Sequence, residues 1–251
     1  MKSLYESLMD DDNTVLKRTD NYTLRYQIDK MLESGKRDNK LIEQLESKVA
    51  IYRVDDNTDL RNLISNFIKL IGNNCSLNWI DVSNIGDMSF MFFGSRFNGD
   101  ISKWDVSNVE NMNVMFSNSK FNGDISKWNV SNVRTMRNTF NSSKFNGDIS
   151  KWNVSKVEDM GGTFEKSEFN GDISKWNVYN VKSMNCMFDS SVFNGDISKW
   201  NVSNVEDMGH MFFNSKFNRD ISKWDVSNVK YINNMFTKCP IKEEYKPKFK
   251  I

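Results

Sequence analysis

The chain contains one histidine and three cysteines, and no apolar run close to the roughly 20 residues that a membrane-spanning helix needs. Cys75, Cys186 and Cys239 are odd in number and far apart, which suggests neither a disulfide framework nor a paired zinc motif. Formal net charge is +1, so no global field draws the chain toward nucleic acid or an anionic membrane, and any charged patch must be local. The opening residues MKSLYESLMDDDN hold one early lysine, no apolar core of about 7–15 residues, and three successive aspartates, unlike a secretory signal. A reducing, cytoplasmic setting is the default expectation. No Ser-His-Asp set, zinc-binding HExxH motif, phosphate-binding loop or dinucleotide fingerprint occurs, so the expectation is no enzyme, no cofactor and no metal.

What the chain has in abundance is itself. FNGDISKWNVSNV, residues 121–133, recurs in near-copies that begin at Phe97, Phe145, Phe169, Phe193 and Phe217, always 24 residues apart. All seven tryptophans occupy one column of this repeat: Trp79, Trp104, Trp128, Trp152, Trp176, Trp200 and Trp224. Such a period means a stacked array in which each coil buries its apolar face on its neighbours. Trp128 and Val130 are two apart, as on one face of a short strand, with Lys127, Asn129 and Ser131 on the other. Val133, Met136 and Phe140 follow at spacings of three and four, the mark of a helical or 3₁₀ turn. The expected fold is a right-handed, leucine-rich-repeat-like solenoid with a short parallel strand and a helical turn in each coil.

Three regions follow. Residues 1–74 read as helical, with a hairpin around Ser34-Gly35-Lys36 formed by the stripes Leu24, Ile28, Met31, Leu32 and Leu41, Leu45, Val49. An amphipathic helix over 58–71, capped by Asn57 or Thr58 and ended by Gly72, would shield the end of the stack. Residues 75–240 hold one partial and six full repeats, and residues 241–251 are a charged tail.

The columns carry further expectations. Gly99, Gly123, Gly147, Gly171 and Gly195 mark a turn expected to need positive φ, relaxed at Arg219. Asn98 to Asn218 suggests a hydrogen-bonding ladder, and Asp100 to Asp220 reads as turn aspartates capping backbone amides in preference to calcium ligands. Glu110, Arg134, Glu158, Lys182, Glu206 and Lys230 alternate in sign, as coil-to-coil pairing requires. His210, in a variable column, reads as a surface residue.

The candidate binding surface is the concave face, where the strand assignment would place Lys103, Lys127, Lys151, Lys175, Lys199 and Lys223 beside Asn153 and Asn177. A serine column next to them is broken by Tyr179, a plausible anchor for a protein partner. The same ladder of Lys, Asn and Ser would also simply keep the stack soluble. A uniform lysine row suits a polysaccharide or other polyanion as well as a protein, whereas nucleic acid is disfavoured by the lack of exposed aromatics clustered with arginine.

The phrases FNGDISKWNVSNV and MFxxSxF, preceded by LNWIDVSNIGDMSFMF from Leu77 and followed by CPIKEEYKPKF, resemble the BspA-like leucine-rich-repeat family. The likeness is to its domain-of-unknown-function branch, of mycoplasma-lipoprotein type, and covers about residues 58–240. It implies a bacterial surface protein engaged in adhesion or protein interaction, and so the cell surface as the alternative compartment. The residues ahead of the repeats do not read as a signal peptide or a lipobox, which sets the expectation of a surface location against that of a cytoplasmic one, and residues 1–50 lie outside the likeness.

Overall fold

A computed structural model describes residues 12–249, with side chains described from residue 23 onward. The elements are α1 (Asp12–Ser34), α2 (Asn39–Glu46), β1 (Tyr52–Arg53), α3 (Asn57–Ile71) and β2 (Ile80–Asp81), followed by the repeats and a 3₁₀ turn at Glu243–Tyr245. Helix α1 ends where Gly35 takes a left-handed φ of 62°. The Asp38 carboxylate accepts from the Leu41 N–H at 3.1 Å and starts α2, which stops at Glu46 and leaves Val49 exposed. Helix α3 begins one residue earlier than the spacing predicts, because Asp56 is its cap and accepts from the N–H groups of Thr58 and Asp59. Leu60, Leu63, Ile64 and Phe67 form its buried face, and Phe67 packs on Trp79 with ring centroids 4.8 Å apart. Parallel pairing of Tyr52 with Ile80 and Arg53 with Asp81 joins this N-terminal region to the first coil.

Successive coils stack in register, linked by parallel bridges that run Asp87, Asn111, Thr135, Asp159, Ser183, Asp207 and Tyr231. In the coil containing Thr135 the N–H groups of Met136, Asn138, Phe140 and Ser142 donate to the carbonyls of Asp159, Gly161, Thr163 and Glu165 in the next coil, at 2.7–2.9 Å. The intervening N–H groups of Thr139, Asn141 and Ser143 close local turns onto Met136, Asn138 and Phe140. The expected helical turn is therefore a chain of β-turns, since donors spent on the next coil cannot also serve a helix. Two of these turns need positive φ at their third residue, supplied by Asn138 (55°) and Ser142 (54°). The equivalent positions in other coils include Phe90, Val114 and Cys186, all left-handed despite their bulk.

The strand expected at Trp128–Val130 is absent. Asp124 and Asn129 accept from the N–H groups of Ser126 and Ser131, placing a turn on each side of Trp128, and the bridge forms later, at Thr135. Side chains make the coil-to-coil contacts in this half. Trp152 Nε1–H donates to the Ile125 carbonyl of the preceding coil at 3.0 Å, and the other tryptophans from Trp104 to Trp224 repeat the bond. The Asn122 Oδ1 accepts from the Asn146 N–H, again in register along the column.

Phenylalanine columns fill the interior. Phe92, Phe116, Phe140, Phe164, Phe188, Phe212 and Phe236 stack with centroids 5.4–5.9 Å apart and almost parallel rings. The glycine column exists for space and not for φ. Gly123, Gly147, Gly171 and Gly195 lie outside the left-handed region, but a Cβ at Gly147 would sit 2.9 Å from the Phe145 ring. Arg219 stands in this column in the last copy, its backbone likewise not left-handed, and its Nε–H donates to the Asn194 carbonyl at 2.9 Å. At the far end Ile241 is buried, and the Tyr245 carbonyl accepts from the Ile221 N–H.

Candidate functional site

The lysines Lys103, Lys127, Lys151, Lys175, Lys199 and Lys223 are all exposed, one in each of six successive coils. Lys103, Lys127, Lys151, Lys175 and Lys199 make no ion-pair contact among the described residues. Each follows a turn aspartate by three positions, at a fixed place in the coil. The neighbouring amides are partly committed: Asn153 Oδ1 accepts from the Ser155 N–H and Asn177 Oδ1 from the Tyr179 N–H, both at 3.2 Å. Their Nδ2 groups donate to no described residue. Tyr179 is 48% exposed, and its carbonyl is held by Asn204 Nδ2 at 2.9 Å. Thus each of the expected residues is exposed at the surface. Because the parallel bridges run through Thr135 and its equivalents, that surface is not on the bridged segment, where the strand assignment would place it.

The turn aspartates behave as structural acceptors. The backbone N–H of Ser126 beside Asp124, and of Ser150, Ser174 and Ser198 beside Asp148, Asp172 and Asp196, holds each carboxyl below its usual range. At Asp220 the Ser222 hydroxyl is the larger influence, with its N–H second. A carboxylate whose folded pKa is depressed stabilises the fold above its unfolded pKa, and that contribution disappears as pH falls through the folded value. The urea midpoint should therefore be flat above about pH 5 and fall below about pH 4. Replacing the five aspartates by asparagine, which keeps the acceptor oxygen without the titration, should flatten this acid limb. An unaltered limb in that variant would assign acid sensitivity to other groups.

Other sequence candidates are placed as follows. Arg134 lies between Glu110 (3.5 Å) and Glu158 (3.3 Å), and Lys230 pairs with Glu206 at 2.7 Å, all on the exposed surface where each pair adds little. Burial raises the thiol pKa of Cys75 and of Cys186 to about 11, so both are protonated at neutral pH and poor nucleophiles. Cys239 occupies the serine column, with Sγ 3.2 Å from the Phe217 carbonyl. His210 is half-buried, with Nε2 3.4 Å from Asn234 Nδ2. Among the described residues no three His, Cys, Asp or Glu side chains are grouped to hold a metal.

Sequence reasoning missed the left-handed columns and a groove beside α3. The signal for the first is present: Asn138, Gly162 and Asn234 in one column, and Gly94, Asn118 and Asn214 in the other, are residue types that tolerate positive φ. The groove depends on how α3 meets the first coil, which no repeat column encodes.

The profile described as "Mycoplasma protein of unknown function, DUF285" matches residues 58–168 and, overlapping, residues 143–246. No curated protein and no solved structure matches the chain. No helix among the described residues is long and apolar enough to cross a membrane.

Proposed function

Since the chain belongs to the DUF285 family over residues 58–168 and 143–246, we propose that it is a non-catalytic interaction scaffold, a leucine-rich-repeat-like solenoid of BspA-like type. The observation that carries this reading is the lysine surface: exposed cations repeated coil after coil, with an exposed tyrosine in place of serine at its middle. Lysines that make no ion pair among the described residues are available to carboxylates of a protein partner, and Tyr179 supplies a rigid aromatic anchor. Residues Lys151, Lys175, Asn177 and Tyr179 form the centre of the proposed contact.

Replacing Lys151 and Lys175 by glutamate and Tyr179 by alanine should weaken capture of a protein partner from lysate or cell-surface extract at least tenfold. The three side chains are exposed, so circular dichroism and the urea midpoint should stay at wild-type values. Equal capture by the folded variant would overturn the reading. A second reading, polysaccharide or polyanion binding, is favoured by the regularity of the lysine row. Retention on an immobilised sulfated polysaccharide that falls steeply with salt would select it, and salt-insensitive retention would exclude it.

A further inference from the structure

Stacking leaves the first coil with an unfilled edge. In the second coil the carbonyls of Asn111, Asn113, Met115 and Ser117 accept from the N–H groups of Met88, Phe90, Phe92 and Gly94. The equivalent carbonyls of the first coil belong to Asp87, Ser89, Met91 and Phe93. Asn57 Nδ2 donates to that of Asp87 at 2.6 Å, while no described group donates to those of Ser89, Met91 and Phe93. Beside this edge runs α3, and between them lies a groove of about 590 Å³. Ile64, Met91 and Phe92 contribute buried walls, and Arg61 and Lys69 line it as exposed cations. Neither cation has an ion-pair partner among the described residues, and no carboxylate lines the groove.

Phe90 and Phe93 border it, 45% and 55% exposed, with ring centroids 6.0 Å apart in an edge-on arrangement. Phe90 holds a φ of 59°, a backbone state unfavourable for a bulky residue, in a column filled elsewhere by Val114, Asn138, Gly162, Cys186, His210 and Asn234, so its ring is the largest side chain placed there. The turn needs this conformation in every coil, so what distinguishes the first coil is the aromatic ring it presents to solvent, which gains nothing for the core.

We propose that this groove binds an extended acidic peptide by strand addition. The peptide's alternate N–H groups would donate to the Ser89, Met91 and Phe93 carbonyls, its apolar side chains would meet Phe90 and Phe93, and its carboxylates would meet Arg61 and Lys69. A second copy of the chain is the obvious competitor, because the last coil carries the complementary edge: the N–H groups of Ile232, Asn234, Phe236 and Lys238 have no described acceptor. That edge lies in a stretch, residues 230–249, with five lysines against two glutamates, and would oppose Arg61 and Lys69 with like charge. In addition, Phe92, on which Phe236 of a second copy would have to stack, is already buried.

The test is to sort a displayed library of random dodecapeptides on the full chain and measure the enriched peptides by fluorescence anisotropy. The expected result is acidic peptides whose affinity falls at least tenfold in the Arg61→Glu/Lys69→Glu protein and in Phe90→Gly. Phe90→Gly relaxes the backbone while removing a ring that is 45% exposed, so its urea midpoint should stay near the wild-type value and a loss of binding at that midpoint reports the lost ring. N-methylation of alternate peptide amides should abolish binding in one phase and spare it in the other. No enrichment, enrichment of basic or neutral peptides, unchanged affinity for Phe90→Gly, or indifference to the phase of methylation would overturn the proposal. So would a concentration-dependent dimer that the same variants abolish. The lysines of the repeat surface remain intact throughout, so the two binding proposals fail or stand separately.

Discussion

Trp152→Ala in the middle of the stack is expected to lower the unfolding free energy by about 3–5 kcal/mol, the range for deleting a buried tryptophan or phenylalanine side chain. Trp152 is 3% exposed, stacks on Trp128 at 6.5 Å and contacts Phe140 at 6.2 Å. Its removal opens a cavity between two coils, and a coil bonded on both sides has little freedom to collapse into it. It also removes one of two donors to the Ile125 carbonyl, which accepts from Trp152 Nε1–H at 3.0 Å and from the Trp128 N–H at 3.2 Å. Trp152→Phe separates these effects: it keeps an aromatic ring, loses the hydrogen bond, and should cost about 1–2 kcal/mol. At Trp224, whose tryptophan column ends with it, the alanine variant should be milder than at Trp152. Urea denaturation followed by circular dichroism measures all three. A loss below about 1 kcal/mol at Trp152 would mean that the tryptophan column does not carry the stack, contrary to its burial.

The same columns explain why so much of the architecture is legible in the amino-acid sequence. Period, tryptophan column and coil boundaries can be read there because burial between identical neighbours forces identical residues, and Phe121, Trp128 and Phe140 must recur wherever a coil has two neighbours. Backbone conformation inside the coil is less legible. A spacing of three and four fits a helical turn and also a chain of β-turns, and the choice between them depends on where alternate N–H groups go. Met136 and Phe140 send theirs to Asp159 and Thr163, a destination set by the neighbouring coil and invisible in a single repeat.

The glycine column teaches a related lesson. Its regularity points to positive φ at Gly147, but what the missing side chain serves is the Phe145 ring two residues before it. Positive φ is demanded instead at Asn138 and Ser142, in columns whose residues vary from Phe90 to Gly162, so variation hides the rule. Of the candidate surface, the lysine register is fully legible, because exposed residues between buried Ile149 and Trp152 have no other direction to point. The groove at α3 is not, since it arises where the repeat is interrupted.

Removing residues 145–192, two whole periods, should leave a folded protein, whereas removing residues 145–180 should not. The first deletion joins Lys144 to Phe193, so each column resumes with the residue type it had. It brings Arg134 beside Glu206 in place of Glu158, preserving the sign alternation, and lets Met136 donate to Asp207 in place of Asp159. Two stacked tryptophans are lost, so stability falls, but each remaining coil keeps a neighbour on both sides as before. The second deletion joins Lys144 to Val181 and sets two ladder halves in succession with no tryptophan half between them. Met184 would then follow a coil whose aromatic columns are half a period out of place, and the donors of Met136, Asn138 and Phe140 would face no matching carbonyls. The expected outcome is one cooperative urea transition for the two-period deletion, and a broad, low-amplitude transition with exposed tryptophan fluorescence for the other. Equal behaviour of the two proteins would show that the coils do not stack through a fixed 24-residue register, and the energetics argued for Trp152 would fall with it.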